Sequence, residues 1–293
     1  MIDKRLVGTG VALVTPFDVN LNIDFNAFKK LLQLCFAANV SYLVVNGTTG
    51  ESATTSEYEK HSILSFVNEN NLQKLPIVYG MGGNDTNEIL RKLSNTNLQG
   101  VDVILSVCPY YNKPSQNGIY YLYMSIADAS PIPILLYNVP SRTGCNITAP
   151  TVIRLSNHKN IIGIKEASGD LLQIIEIAKN KPPDFMLISG DDILTIPIIS
   201  IGGVGVISTL ANCFPNFVSN MVNYALNNDY INARNYMFRL VEFNNIIKNE
   251  GNPVGTKHIM HLLGICQNEV RLPLVKIPQE IATKLEQTCN FPN

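Results

Sequence analysis

Lys165 follows directly on the apolar run Ile161-Ile162-Gly163-Ile164. A lysine emerging from such a run into an apolar cavity is desolvated, which favours the neutral amine that condenses with ketones to a Schiff base. The competing reading is a strand-end lysine paired with Glu166 or another carboxylate. Tyr137 ends another apolar run, and its phenol could relay protons during carbinolamine formation and carbon–carbon bond making, or merely pack a barrel rim. Arg142 stands in Pro140-Ser141-Arg142-Thr143-Gly144, where its fork of donors fits a substrate carboxylate; a surface ion pair is the alternative. Thr48 and Thr49, between Gly47 and Gly50, offer hydroxyls and backbone N–H groups to a small anion, or form an ordinary turn. No lysine of a nucleotide phosphate loop accompanies them, so ATP binding is not supported.

Metal chemistry finds little material. The four histidines are His61, His158, His258 and His261. The last two, three residues apart on a predicted helix far from the strand ends, read as solvated helix residues rather than ligands. Asp191 and Asp192 form the one acidic pair at a strand end and are expected to cap the following helix. Gly202-Gly203-Val204-Gly205 reads as tight backbone packing before a buried strand rather than phosphate binding. No cofactor and no metal are expected.

These residues need a frame that collects them. Short β-branched runs recur at residues 11–14, 42–45, 77–79, 103–107, 134–137, 161–164, 186–189 and 204–208. Their spacing of roughly 25–30 residues suits consecutive βα units. They are almost continuously apolar, as strands covered on both faces should be. Helical patterns fall at residues 24–38, 56–71, 85–96, 115–129 and 171–180, with Asp24 and Ser56 as N-caps and Glu59 completing a capping box. The fold class is α/β: a (β/α)8 TIM barrel over residues 1–225, with a C-terminal helical segment at 226–293 packed on it. That segment is helical at 230–249, 253–263 and 281–288. A doubly wound open sheet shares the alternation but announces a Gly-rich phosphate turn after its first strand, and Val14-Thr15-Pro16-Phe17 is not one. In the barrel, the C-terminal strand ends gather Lys165, Tyr137, Arg142 and the Thr48-Thr49 turn.

Composition narrows the partners. The 293 residues are 46% apolar and carry 22 basic against 23 acidic side chains, which argues against a nucleic-acid surface. Residues 1–10 show no apolar core or cleavage site of a signal peptide. The cysteines at 35, 108, 145, 213, 266 and 289 are scattered, which suggests free thiols in a reducing cytoplasm. No charge lies between Asp192 and Asp229, but Pro197, Pro215 and several asparagines make a membrane span costly. A buried strand followed by a subunit-facing helix is the better reading.

The sequence resembles the pyruvate-dependent class I aldolases of the dihydrodipicolinate synthase and N-acetylneuraminate lyase family. The likeness runs from Gly10-Val11-Ala12-Leu13-Val14-Thr15-Pro16 to Arg271-Leu272-Pro273-Leu274. It is carried by Gly47-Thr48-Thr49-Gly50-Glu51-Ser52, Pro109-Tyr110-Tyr111-Asn112-Lys113-Pro114, Tyr137-Asn138-Val139-Pro140-Ser141-Arg142-Thr143-Gly144 and Gly163-Ile164-Lys165-Glu166. The resemblance implies that Lys165 forms a Schiff base with pyruvate and that Tyr137 is the general acid/base, linked through Thr49 to Tyr111. Tyr111 would cross a tight-dimer interface to serve the neighbouring subunit, within a dimer or dimer of dimers. Thr48 and Thr49 would hold the pyruvate carboxylate, Arg142 that of aspartate semialdehyde, and Gly190 and Ile207 would line the pocket.

Arg142 separates the branches. Sialic-acid lyases of the family typically lack the Ser-Arg-Thr-Gly turn and show Gly-Ser-Thr-Gly where this chain has Gly47-Thr48-Thr49-Gly50. The implied reaction is condensation of pyruvate with aspartate semialdehyde towards diaminopimelate and lysine. Cleavage of N-acetylneuraminate or a 2-keto-3-deoxy sugar acid is the alternative, and a barrel that only binds a ligand is the third reading. Two departures stand out. Many relatives carry Asn-Pro-Ile-Pro-Val-Lys where this chain reads Asn252-Pro253-Val254-Gly255-Thr256-Lys257, a run expected to lie away from the chemistry. The family's allosteric lysine site would map to Ser52, Ala53, Glu57, Lys60, Asn84, Glu88 and Tyr110. Lys60 there should repel a cationic effector and leave lysine inhibition weak or absent.

Overall fold

A computed structural model describes residues 3–288; Met1, Ile2 and residues 289–293, with Cys289, lie outside the described residues. The apolar runs form eight parallel strands: β1 (Gly8–Ala12), β2 (Tyr42–Val45), β3 (Ile77–Gly80), β4 (Val103–Val107), β5 (Ile134–Asn138), β6 (Ile161–Glu166), β7 (Met186–Ser189) and β8 (Gly205–Ser208). They pair in sequence order, and β8 pairs back onto β1, closing a barrel. Side chains alternate between two packed layers. Ala12, Val44, Leu135, Tyr137, Ile188 and Ile207 belong to a cluster filling the barrel, whereas Val11, Leu43, Leu136, Ile164 and Val206 meet the helices. Burial on both faces is why the runs read as continuously apolar.

The helices follow each strand. They are α1 (Phe25–Ala37), α2 (Glu57–Asn70), α3 (Thr86–Asn95), α4 (Gln116–Ala129), α5 (Pro140–Thr143), α6 (Ala149–Leu155), α7 (Leu171–Asn180) and α8 (Thr195–Ser200). After β8 come α9 (Pro215–Leu226), α10 (Tyr230–Glu250), α11 (Val254–Leu262) and α12 (Gln279–Thr288). Asp24 caps α1 through the Ala27 N–H, and Ser56 and Glu59 form the expected reciprocal box on α2.

Two local expectations change. The first strand begins at Gly8 rather than residue 11, because Gly8-Thr9-Gly10 pairs with Gly205-Val206-Ile207 to close the barrel. Gly10 is required there, since a Cβ on it would sit 2.1 Å from the Tyr42 ring that plugs the barrel. Helices α5, α6 and α8 are too short to show a helical period, and the first two begin on a proline in the first turn. Helix α9, expected to face another subunit, buries its apolar face, Val218, Met221, Val222 and Ala225, within this chain and packs on α10. Its Asn216, Asn220 and Asn223 face outwards. Among the described residues, no helix is long and apolar enough to cross a membrane.

Candidate active site

Neighbouring strands β5 and β6 place Tyr137 and Lys165 in register. Both belong to the inward-facing set, and Lys165 Nζ lies 4.3 Å from the centroid of the Tyr137 ring. Lys165 is only 6% exposed. One residue further along, alternation turns Asn138 and Glu166 the other way, towards the helices. Glu166 accepts from Asn138 Nδ2 at 3.0 Å, the Ser168 N–H at 2.6 Å and Gln173 Nε2 at 3.3 Å. Burial pushes its carboxyl above the usual range, against the pull of these donors. The reading that paired Lys165 with Glu166 is therefore overturned by strand pleating: adjacent residues of a strand occupy opposite layers.

Gly190, after β7, makes room for the lysine stem. Its N–H donates to the Glu166 carbonyl at 2.7 Å, and an added Cβ would lie 3.1 Å from Lys165 Cε and 2.5 Å from Ala167 Cβ. Ile207 on β8 is buried in the same interior cluster.

A short 3-10 turn, Thr48–Gly50, caps β2. Thr15 Oγ1 donates to the Gly50 carbonyl at 2.7 Å and ties the turn to the loop after β1. Thr49 is buried, and its Oγ1 accepts from Asn252 Nδ2 at 2.8 Å. The same amide donates to Thr209 Oγ1 at 3.2 Å. Arg142, exposed on α5, donates from Nη2 to the Asn252 carbonyl at 3.1 Å. The run at residues 252–257 was expected to lie away from the chemistry; instead it touches two of the candidate site residues. Arg142 is likewise held by a carbonyl, not by a surface carboxylate.

Glu51, next to the turn, anchors it from behind. Its buried carboxylate accepts from Lys257 Nζ at 2.5 Å and from the Arg271 N–H at 3.0 Å. Lys257 also donates to the Glu269 carbonyl at 2.8 Å, and its Nζ lies 4.0 Å from the Phe17 ring centroid. Burial pulls the Lys257 ammonium below its usual range, opposed by the Glu51 charge. Arg271 in turn pairs with Glu59 and holds that carboxyl at about 2. Glu51, Lys257, Asn252 and Thr209 were not singled out as functional from sequence. The available signal was Glu51 beside the glycine-threonine turn and Lys257 as the lone lysine of its short helix.

Tyr111 does not join the site of its own chain. It is 88% exposed with φ at 73°, on a protrusion where Asn84 Nδ2 donates to the Tyr110 carbonyl at 3.1 Å. A cavity of about 600 Å³ opens beside the strand ends, lined by Thr48, Tyr137, Arg142 and Asn252. Ser52, Ala53, Glu57, Lys60 and Tyr110 line it too, whereas Asn84, Glu88, Thr49, Lys165, Gly190 and Ile207 do not. Lys60 Nζ engages Glu57 Oε1 at 2.8 Å, and Glu88 is paired with Arg91.

Two further expectations need correction. His258 is buried, not solvated: the helix presses it against the C-terminal segment, where Asn268 Nδ2 meets its Nδ1 at 2.9 Å. His261 remains exposed. Asp191 does cap the turn after β7, through the Ile193 N–H at 2.9 Å. Asp192 is buried instead and accepts from the Thr209 and Leu210 N–H groups, each at 3.2 Å. Burial raises its carboxyl above the usual range. Among the described residues, no group of three or more His, Cys, Asp or Glu side chains is placed to hold a metal ion.

Comparison with known proteins adds an independent line. A family model described as the Dihydrodipicolinate synthetase family matches residues 5–291. The chain is 51% identical over 280 residues to the 4-hydroxy-tetrahydrodipicolinate synthase of Cytophaga hutchinsonii, covering 96% of this chain and 94% of the relative. It superposes on the 4-hydroxy-tetrahydrodipicolinate synthase of Methylacidiphilum fumariolicum with a TM-score of 0.93, at 37% identity over 97% of this chain and 94% of that one. A dihydrodipicolinate synthase from Cyanidioschyzon merolae with lysine bound gives a TM-score of 0.92 at 34% identity, covering 97% of both chains.

Proposed function

The chain belongs to the dihydrodipicolinate synthetase family, and from that premise we propose how its own residues carry the reaction. It is a lyase of the class I aldolase type that condenses pyruvate with L-aspartate 4-semialdehyde to 4-hydroxy-tetrahydrodipicolinate, in diaminopimelate and lysine biosynthesis. The observation that carries the assignment of roles is the buried Lys165 amine set against the Tyr137 ring, with Arg142 at the cavity above.

Lys165 Nζ attacks the pyruvate ketone, and loss of water leaves an imine. Its cationic nitrogen is an electron sink for the adjacent methyl carbon, whose deprotonation gives an enamine. The enamine carbon attacks the aldehyde and forms the new carbon–carbon bond. The semialdehyde's own amine then displaces Lys165 from the imine carbon, closing the ring and freeing the enzyme. Tyr137 moves protons at the carbinolamine and at the alkoxide, which its place beside Lys165 supports. Thr48 and Thr49 receive the pyruvate carboxylate, while Gly190 and Ile207 shape the pocket around it.

Arg142 takes the carboxylate of the semialdehyde with its guanidinium fork. Tyr111 acts in the site of a neighbouring subunit, completing a relay through Thr49; its near-complete exposure on a protrusion supports that role. The assembly that fits this reading is a homo-oligomer built from such pairs, a dimer of dimers. The described residues of the C-terminal segment (226–293) pack on those of the barrel (1–225) as part of one catalytic unit, which the contacts of Asn252 and Lys257 support. Five described cysteines are buried free thiols, in keeping with a reducing cytoplasm.

Substrate choice is tested by following pyruvate consumption with each aldehyde. Aspartate semialdehyde should drive turnover, and Arg142→Ala should raise its KM while leaving imine formation with pyruvate intact. Turnover with N-acetylmannosamine and none with the semialdehyde would reverse the assignment.

A further inference from the structure

Asn252 is 203 residues from Thr49 in sequence, yet its side-chain amide donates to the Thr49 hydroxyl at 2.8 Å and to the Thr209 hydroxyl at 3.2 Å. We propose that Asn252 is a positioning residue for the condensation, setting the direction in which Thr49 passes its proton. The inference rests on the relay role assigned to Thr49 above.

A hydroxyl has one proton to give and two lone pairs to receive with. The amide's two N–H bonds occupy one lone pair on each threonine, so neither hydroxyl proton points at Asn252. The two hydroxyl oxygens are 3.5 Å apart, at the limit of a hydrogen bond. Thr209 is itself held from the far side, because buried Asp192 accepts from its backbone N–H at 3.2 Å. Thr49 therefore has two directions in which to donate, to Thr209 Oγ1 across the long 3.5 Å gap or towards the barrel mouth, where Thr48 and Tyr137 line the cavity, and the length of the first favours the second.

The backbone of Asn252 does a second job. Its carbonyl receives Arg142 Nη2 at 3.1 Å, so one residue touches both the relay hydroxyl and the guanidinium assigned to the second substrate. Asn252 is placed by α11, which the Glu51–Lys257 pair fixes to the end of the Thr48–Gly50 turn. A side-chain substitution removes the contact to Thr49 and leaves the carbonyl that meets Arg142.

Two variants and one double variant test this by steady-state kinetics at saturating pyruvate. Asn252→Ala should lower kcat about 10- to 100-fold, the scale of misplacing a reacting group by an ångström, with KM for aspartate semialdehyde within about twofold. Asn252→Asp keeps shape and volume but turns the donor into an acceptor, so its kcat should fall at least as far while it unfolds at the wild-type temperature. In a Thr49→Val background, Asn252→Ala should change kcat by less than about twofold, because both act through one hydroxyl. An aspartate variant with wild-type kcat, or losses that multiply in the double variant, would overturn the inference. Failure of the wild-type chain to turn over pyruvate with the semialdehyde would instead overturn the reaction assigned above.

Discussion

Substituting Lys257→Met removes a cation from a place that water does not reach. The Lys257 side chain is 0% exposed and that of its partner Glu51 1%. Methionine fills similar space, so the change is chiefly electrostatic. It strips Glu51 of its 2.5 Å partner and leaves that carboxylate with the Arg271 N–H at 3.0 Å. Breaking one side of a buried pair costs about 3–5 kcal/mol, because the remaining charge is buried without compensation. For a chain of 293 residues, with an unfolding entropy of about 2.1 cal/mol/K per residue, that corresponds to a fall in Tm of about 5–8 °C. Urea unfolding at fixed protein concentration measures the loss, and Glu51→Gln combined with Lys257→Met measures its origin. The double variant has no stranded charge and should recover at least about half of what Lys257→Met loses. A loss below about 1 kcal/mol for Lys257→Met, or a double variant that loses the sum of both singles, would refute the reasoning.

Gly190→Ala should lower kcat about 100-fold, since its Cβ would stand 3.1 Å from Lys165 Cε and 2.5 Å from Ala167 Cβ; wild-type kcat would show that the lysine stem is not confined there. Arg271 holds the Glu59 carboxyl at about 2, well below its usual 4.5, so this pair stabilises the fold above pH 4.5 and is lost as pH falls towards 2. Glu59→Gln should thus be less stable than wild type at pH 7, with a gap that narrows below pH 4.5 in thermal melts; a gap that widens on acidification would contradict it. Lysine should inhibit weakly or not at all in initial-rate assays, because Lys60 already occupies Glu57 and adds an ammonium to the cavity. Half-maximal inhibition at sub-millimolar lysine would refute that.

The barrel was legible because strands buried on both faces leave continuous apolar runs, and β2, β4 and β7 begin and end where those runs do. Lys165 and Tyr137 were legible for the same reason: one follows a run and the other ends one, so both must stand at the mouth. What the sequence could not reveal is contact between distant segments. Neither Asn252 on Thr49 nor Lys257 on Glu51 has a local pattern, because each pairing is made by the C-terminal segment folding back over the loop after β2. Local reasoning also misplaced His258, whose burial depends on Asn268 and the chain beyond α11. The first strand lost its start to Gly8 and Gly10, residues chosen for barrel closure rather than strand propensity. Glu166 was offered as the partner of Lys165 on adjacency alone, which the pleat of a strand forbids.

The most direct measurement is borohydride reduction of the protein with pyruvate, followed by peptide mapping, with Lys165→Ala as the control. The imine chemistry predicts one reduced pyruvate adduct, on Lys165 and absent from the variant. No adduct in folded, fully assembled protein, or an adduct on another lysine that survives Lys165→Ala, would contradict the assignment of Lys165 as the nucleophile.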